Sequence, residues 1–302
     1  LSLGRLGRGL ALLFTNPAAA YGRARAAVAR ARIGKRFVAT EPYRSESEDG
    51  DYPAAVERAL SSEKHFATFK QNPDYQLVLE HVTQEQGAEY LALLKADAPD
   101  LLERIEDFKR NDWVGSPSVF SYSDVGVVSP TTLRYMKVAS DIRRLFGTLE
   151  GADIVEIGGG YGGQLLIADQ LFALRRYTIF DLPPVLALVR KYIESHLLRG
   201  SFATRTLNEE DGTSVYDLVI SNYAFSELPD LVQLTYLRKV ISRSRRGYMT
   251  MNSGVGISRR DRNKLSLEQL KGHLPACETF EEKPLTEAGN YILAWGHTGR
   301  LD

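Results

Sequence analysis

Val155-Glu156-Ile157-Gly158-Gly159-Gly160-Tyr161-Gly162-Gly163-Gln164 joins a short apolar run, Asp153 to Ile157, to a helical pattern, Gln164 to Leu174. Glycines between a strand and a helix allow a tight turn and let the backbone approach a ligand closely. Gly158, Gly160 and Gly163 satisfy G-x-G-x-x-G, the dinucleotide pattern. Gly158, Gly160 and Gly162, behind Glu156, also satisfy E-x-G-x-G-x-G. The glycines alone do not choose between these two patterns. Glu156 lies inside the apolar strand, where a carboxylate is costly unless it is paired or hydrogen-bonded.

Working outward, strand-like runs alternate with helical ones. Tyr177 to Phe180, Phe202 to Thr206, Asp217 to Ser221, Gly247 to Asn252 and Tyr291 to Gly296 read as strands. Val185 to Leu198, Leu231 to Ser242 and Ser266 to His273 read as helices. That alternation predicts an α/β fold, a mainly parallel Rossmann-like sheet with helices on both faces. Upstream, Pro53 to Lys70, Gln84 to Ala96 and Pro99 to Arg110 read as helices, and Asn111 to Pro130 as a long loop. Ser129 and Pro130 open a further helix to about Phe146. The expected organisation is a helical N-terminal extension over 1–110, a loop and helix covering the site over 111–150, and the α/β domain over 151–302.

Composition excludes several classes. The chain has 302 residues, 43% hydrophobic and 25% charged, enough to bury a core without staples. Its one cysteine, Cys277, forbids an intrachain disulfide and fits a reducing, cytoplasmic setting. Lys plus Arg equals Asp plus Glu, 38 against 38, so a globally basic nucleic-acid binder is not indicated. No run of 18 apolar residues exists to form a membrane span. The zero balance hides a basic arm: eight Lys or Arg lie between Leu1 and Arg36, and the first acid is Glu41. That arm is expected to pack on its own domain or on a second copy in a homo-oligomer. Its alternative is peripheral contact with an anionic membrane surface. The apolar stretch near Leu10 to Phe14 is too short for a signal peptide.

Further residues gather around the glycines. Asp181 ends the run Tyr177-Thr178-Ile179-Phe180, 23 residues after Gly158, and suits both ribose hydroxyls of a nucleoside. The pattern E-x-G-x-G-x-G is typical of S-adenosylmethionine (SAM) methyltransferases of the Rossmann-like class. Nicotinamide enzymes normally carry an apolar residue at Glu156, so a dehydrogenase is disfavoured. SAM carries an ammonium and a sulfonium that a carboxylate can complement. Phe180-Asp181-Leu182-Pro183-Pro184-Val185 resembles the FDLPxV of phenolic O-methyltransferases, and Asp217 to Asn222 resembles the fourth strand of that superfamily. From Asn111 onward the chain is more similar to the sugar O-methyltransferase family. The matching pieces are Ser129 to Tyr135, Val155 to Gln164, Ser221 to Leu228 and Asn290 to His297.

The resemblance implies methyl transfer from SAM to a sugar hydroxyl, in a free sugar, a nucleotide sugar, a glycoside or a polysaccharide, as in natural-product tailoring. The alternatives are a phenolic or polyketide O-methyltransferase and a SAM-fold binding protein without turnover. SAM is expected against Glu156, Gly158, Gly160, Tyr161, Gly162, Gln164, Asp181, Leu182, Asn208 and Asn222, with Thr132 and Arg134 from the preceding helix. Arg134 is expected to pair with its carboxylate. Ser226 stands where the phenolic enzymes carry a histidine base, which leaves Glu227 as the nearest general base, and His273 and His297 as competitors. Tyr135, Tyr223, Ser226 and Asn252 are the expected acceptor contacts. No Cys/His cluster has zinc spacing, and an obligatory metal is not expected.

Overall fold

The computed structural model describes residues 51–253 and 264–301. They belong to one compact unit, Arg44–Asp302, and the basic arm lies outside the described residues. The centre is a seven-stranded sheet. With a small hairpin of β1 (Phe120–Tyr122) and β2 (Gly126–Val128) counted first, its strands are β3 (Asp153–Ile157), β4 (Arg176–Phe180), β5 (Ser201–Arg205), β6 (Tyr216–Asn222), β7 (Ser244–Met251), β8 (Cys277–Glu281) and β9 (Tyr291–Trp295). The order across the sheet is β5-β4-β3-β6-β7-β9-β8. Strands β3 to β7 are parallel, and only β9 runs against its neighbours β7 and β8. The predicted mainly parallel α/β sheet is what the chain forms.

Register sends side chains of β3 to alternate faces. Ile154 joins a core shared with the helices Pro130–Phe146, Gly163–Leu171 and Pro183–Glu194. Val155 and Ile157 face the opposite core, under Tyr236, Leu237 and Leu270. Both faces of the central strands are covered, so their sequences read as largely apolar runs, with Glu156 the interruption inside β3.

The region before residue 111 shares the first core. Tyr52, Val56, Phe69, Tyr75, Leu91, Leu94 and Phe108 belong to the same buried cluster as Leu133 and Ile154. Strand order reverses between β3 and β6, and the crevice beyond the strand ends at such a reversal is the general ligand site of open α/β sheets.

Candidate active site

At the carboxyl end of β3 the chain turns through Gly158 and Gly160, with φ of +77° and +57°. A Cβ at Gly158 has no room, and one at Gly160 would need the Leu79 side chain to shift. One at Gly158 would lie 2.1 Å from Ala224 Cβ, and one at Gly160 2.9 Å from Leu79 Cδ1. Beside the loop, Asp181 Oδ2 accepts the Gly160 N–H (3.3 Å) and Oδ1 accepts the Leu182 N–H (2.8 Å). Burial pushes the Asp181 carboxyl up to about 6, against the pull of the N–H groups of Leu182, Gly160 and Gly159. Glu156 is only 2% exposed. Burial pushes its carboxyl up to about 8, the Tyr177 hydrogen bond on Oε2 (3.1 Å) opposing and the Asp181 charge adding. No cation among the described residues is a cause of its shift.

The turn after β6 completes this end of the sheet. Asn222 Nδ2 donates to Gln164 Oε1 (3.5 Å), while Asn222 Oδ1 is buried without a hydrogen-bond partner. Tyr223 follows with φ +67°, a left-handed conformation that strains a bulky side chain by roughly 1–3 kcal/mol. The Ala224–Glu227 helical turn follows, and Glu227 Oε1 accepts from Asn252 Nδ2 (3.1 Å).

Helix Pro130–Phe146 passes beneath the loop. Its Arg134 is 8% exposed, donates to the Leu79 carbonyl (3.5 Å) and holds its guanidinium 5.2 Å from the Tyr135 ring centroid. A narrow cavity is lined by Arg134, Tyr135, Asn222, Tyr223 and Thr250, and by Tyr90 and Glu282. The last two are absent from the sequence reading. Tyr90 lies on the helix Gln84–Asp97, and Glu282 follows β8, a strand with no strong apolar run to mark it. Glu282 accepts from the Tyr223 hydroxyl and from the Thr286 N–H and hydroxyl (3.0 and 2.7 Å). Burial, then the Glu282 charge, raises the Tyr223 phenol well above its ordinary value.

The structure thus brings Glu156, Gly158, Gly160, Gly162, Gln164, Asp181, Leu182, Asn222, Tyr223, Glu227 and Asn252 to one end of the sheet, with Arg134 and Tyr135 beneath. Asn208 is exposed past β5 at that same end. Several expectations are corrected. Thr132 donates to Asp112 (2.7 Å) and accepts from Asn111 (2.8 Å), so it builds the start of its helix and not the crevice. The Tyr161 ring is fully buried, edge-on to Tyr192 at 4.9 Å, and leaves only its backbone to the loop. Ser226 donates to the Tyr223 carbonyl (2.6 Å) and accepts the Asn252 N–H (3.0 Å), which ties the turn to the end of β7. His297 follows β9, whose antiparallel course carries it to the opposite end of the sheet, where its Nδ1 lies 3.0 Å from Gly299 O. His273 is exposed ahead of β8, whose first residue lies at that same far end. Neither histidine reaches the crevice. Among the described residues no three His, Cys, Asp or Glu gather as metal ligands.

No protein-family model matches the chain, and no curated protein sequence matches it. Among solved structures it is similar to the pyocyanin biosynthetic protein PhzM, at 17% identity and TM-score 0.40, over 55% of this chain and 56% of that one. It is similar to the magnesium protoporphyrin IX methyltransferase of Synechocystis PCC 6803, at 14% and 0.38, over 53% and 74%. The N-methyltransferase NodS of Bradyrhizobium japonicum WM9 gives 14% and 0.39, over 53% and 83%. The chain spans little more than half the length of the pyocyanin protein. Strand order and register carry the fold assignment, not these matches.

Proposed function

We propose that the chain is a SAM-dependent O-methyltransferase whose acceptor is a small molecule, with a sugar hydroxyl the class its motifs favour. The observation that carries this reading is Glu156, a buried carboxyl two residues before the first loop glycine with no cation among the described residues to pair with. An ammonium-bearing ligand complements such a group, whereas a nicotinamide cofactor does not. The other residues fit the same ligand. Gly158 admits no Cβ and Gly160 holds a positive φ, so backbone N–H groups stay close to whatever lies over them. Asp181, whose oxygens now accept from Gly160 and Leu182, suits two ribose hydroxyls. Arg134, which lacks an ion pair among the described residues, suits a carboxylate. Asn222 Oδ1 awaits a donor.

Bound SAM supplies an electrophilic methyl group. The chain's part is to align an acceptor oxygen with it, exclude water and accept a proton. A phenolic acceptor is the second reading, favoured by the rings of Tyr90, Tyr135, Tyr223 and Tyr248 around the cavity.

Titration calorimetry with SAM, its demethylated product S-adenosylhomocysteine (SAH) and NAD tests the cofactor. SAM and SAH are expected to bind and NAD is not. Asp181→Asn keeps an acceptor for the Leu182 N–H but removes the charge. It is expected to weaken SAH binding at least tenfold, since each charge-assisted hydrogen bond contributes about 1.5–3 kcal/mol. Unchanged affinity in the folded variant overturns the ribose assignment, and a wild type that binds NAD but not SAH overturns the cofactor.

A further inference from the structure

The turn after β6 carries no histidine, and the cavity beside it holds a carboxylate that sequence motifs do not mark. We propose that Tyr223 and Glu282 form a proton path in which the acceptor hydroxyl gives its proton to Tyr223 Oη while the tyrosine gives its own to Glu282. This rests on the methyltransferase reading above. Tyr223 is the catalytic residue of the pair, because it touches the acceptor. Glu282 acts through it as a positioning residue and final proton store.

Three observations carry the inference. The left-handed backbone of Tyr223 turns its ring into the cavity shared with Asn222, whose amide is bonded to Gln164 behind the glycine loop. Proton counting then leaves the phenol oxygen open. Tyr223 spends its hydrogen on Glu282 Oε1. Thr286 Oγ1, 3.1 Å from the phenol, spends its own on Glu282 Oε2 (2.7 Å) and accepts from Asn290 Nδ2 (3.1 Å). No described side chain therefore donates to Tyr223 Oη, and an acceptor hydroxyl can. Lastly, Glu282 is 6% exposed and both its carboxyl oxygens are held by hydrogen bonds, with no lysine or arginine in ion-pair reach among the described residues. Glu227 is not among the residues lining this cavity.

The step balances. The acceptor oxygen forms a bond to the methyl carbon, the carbon–sulfur pair stays on sulfur, and the acceptor's proton is replaced by one on Glu282. The phenol stays neutral before and after, in keeping with the burial and the Glu282 charge that disfavour its ionisation. Tyr90, Arg134, Lys137, Asp141, Tyr248 and Lys283 line the same cavity and set the field on the pair.

The full chain is tested with labelled methyl transfer from SAM to a panel of pyranosides and phenols. Tyr223→Phe and Glu282→Gln are expected to keep SAH affinity within threefold yet lose at least 10²-fold in turnover. The acidic limb of the pH–rate profile should vanish in Glu282→Gln and return, displaced, in Glu282→Asp. An acceptor-free measurement is ¹³C NMR of glutamate-labelled protein saturated with SAH. The resonance missing from Glu282→Gln should be that of an ionised carboxylate at pH 7. A carboxyl still protonated at pH 8 overturns the path. So does turnover within threefold of wild type in both variants, or its loss in Glu227→Gln alone. A wild type that binds no SAH removes the cofactor reading itself, a result distinct from these.

Discussion

Glu156 ties cofactor binding to stability. Its folded value, about 8, lies above that of a carboxyl in an unfolded chain, so the native state holds the proton more tightly. Its contribution is fully present below about pH 4.5 and is lost as pH rises through 8. Glu156→Gln removes the ionisation while keeping an acceptor for Tyr177. The variant is expected to gain on wild type between pH 5 and pH 8, by on the order of 2–4 kcal/mol. Urea unfolding of both proteins at the two pH values checks it. A gap that does not widen means a cation of the chain already neutralises Glu156. The same variant should bind SAM more weakly, since it no longer offers a charge to the ammonium.

Among the elements, the glycine loop and the turn after β6 are built to touch. A Cβ at Gly158 meets both a φ of +77° and Ala224 Cβ at 2.1 Å. Gly147, at φ +71°, has nothing within 4 Å of a Cβ. Gly147→Ala should therefore lose only the backbone preference, about 1–3 kcal/mol. Gly158→Ala should lose about 2–4 kcal/mol, because overpacking adds to it. It should also displace Tyr223 and weaken SAH binding. Equal losses in denaturant melts would mean that the turn yields freely. The strands beside these glycines were legible because both faces are buried and their runs are largely apolar. β8 was not, because Glu278, Thr279 and Glu281 leave it no apolar pattern at the sheet edge. One helix read over Pro53 to Lys70 is three short ones, since Ser62 accepts the His65 N–H and starts a new turn. The motif residues Glu156, Gly158, Asp181 and Asn222 were legible together because parallel strands deliver their ends to one crevice. His273 and His297 misled, since no local pattern tells strand direction. Tyr90 and Glu282 reach the cavity from elements remote in sequence.

Across the whole molecule, one buried lysine helps to fasten the helical layer to the glycine loop, beside Asn111 and Phe69 on Tyr161. Lys70 is fully buried. Its ammonium donates to the Asn111 carbonyl (2.6 Å) and lies 4.1 Å from the Tyr161 ring centroid and 5.0 Å from that of Tyr192. Burial pushes it down to about 8, against the opposing charges of Glu80 and Asp112. An unfolded lysine titrates near 10.4, so the penalty of burying the charge is full below pH 8 and is relieved as pH rises toward that value. Lys70→Met keeps an unbranched chain among the same rings, and the Asn111 carbonyl still shares the Tyr192 hydroxyl hydrogen (3.1 Å) with Asn111 Oδ1 (2.8 Å). The variant should be at least as stable as wild type at pH 7. Its advantage should shrink by about 3 kcal/mol between pH 8 and 10.5. Comparing the two proteins at each pH cancels the tyrosines that titrate in both. If Lys70→Met unfolds outright at pH 7, the ammonium's contacts outweigh its burial, and the charge itself holds the helical layer to the loop.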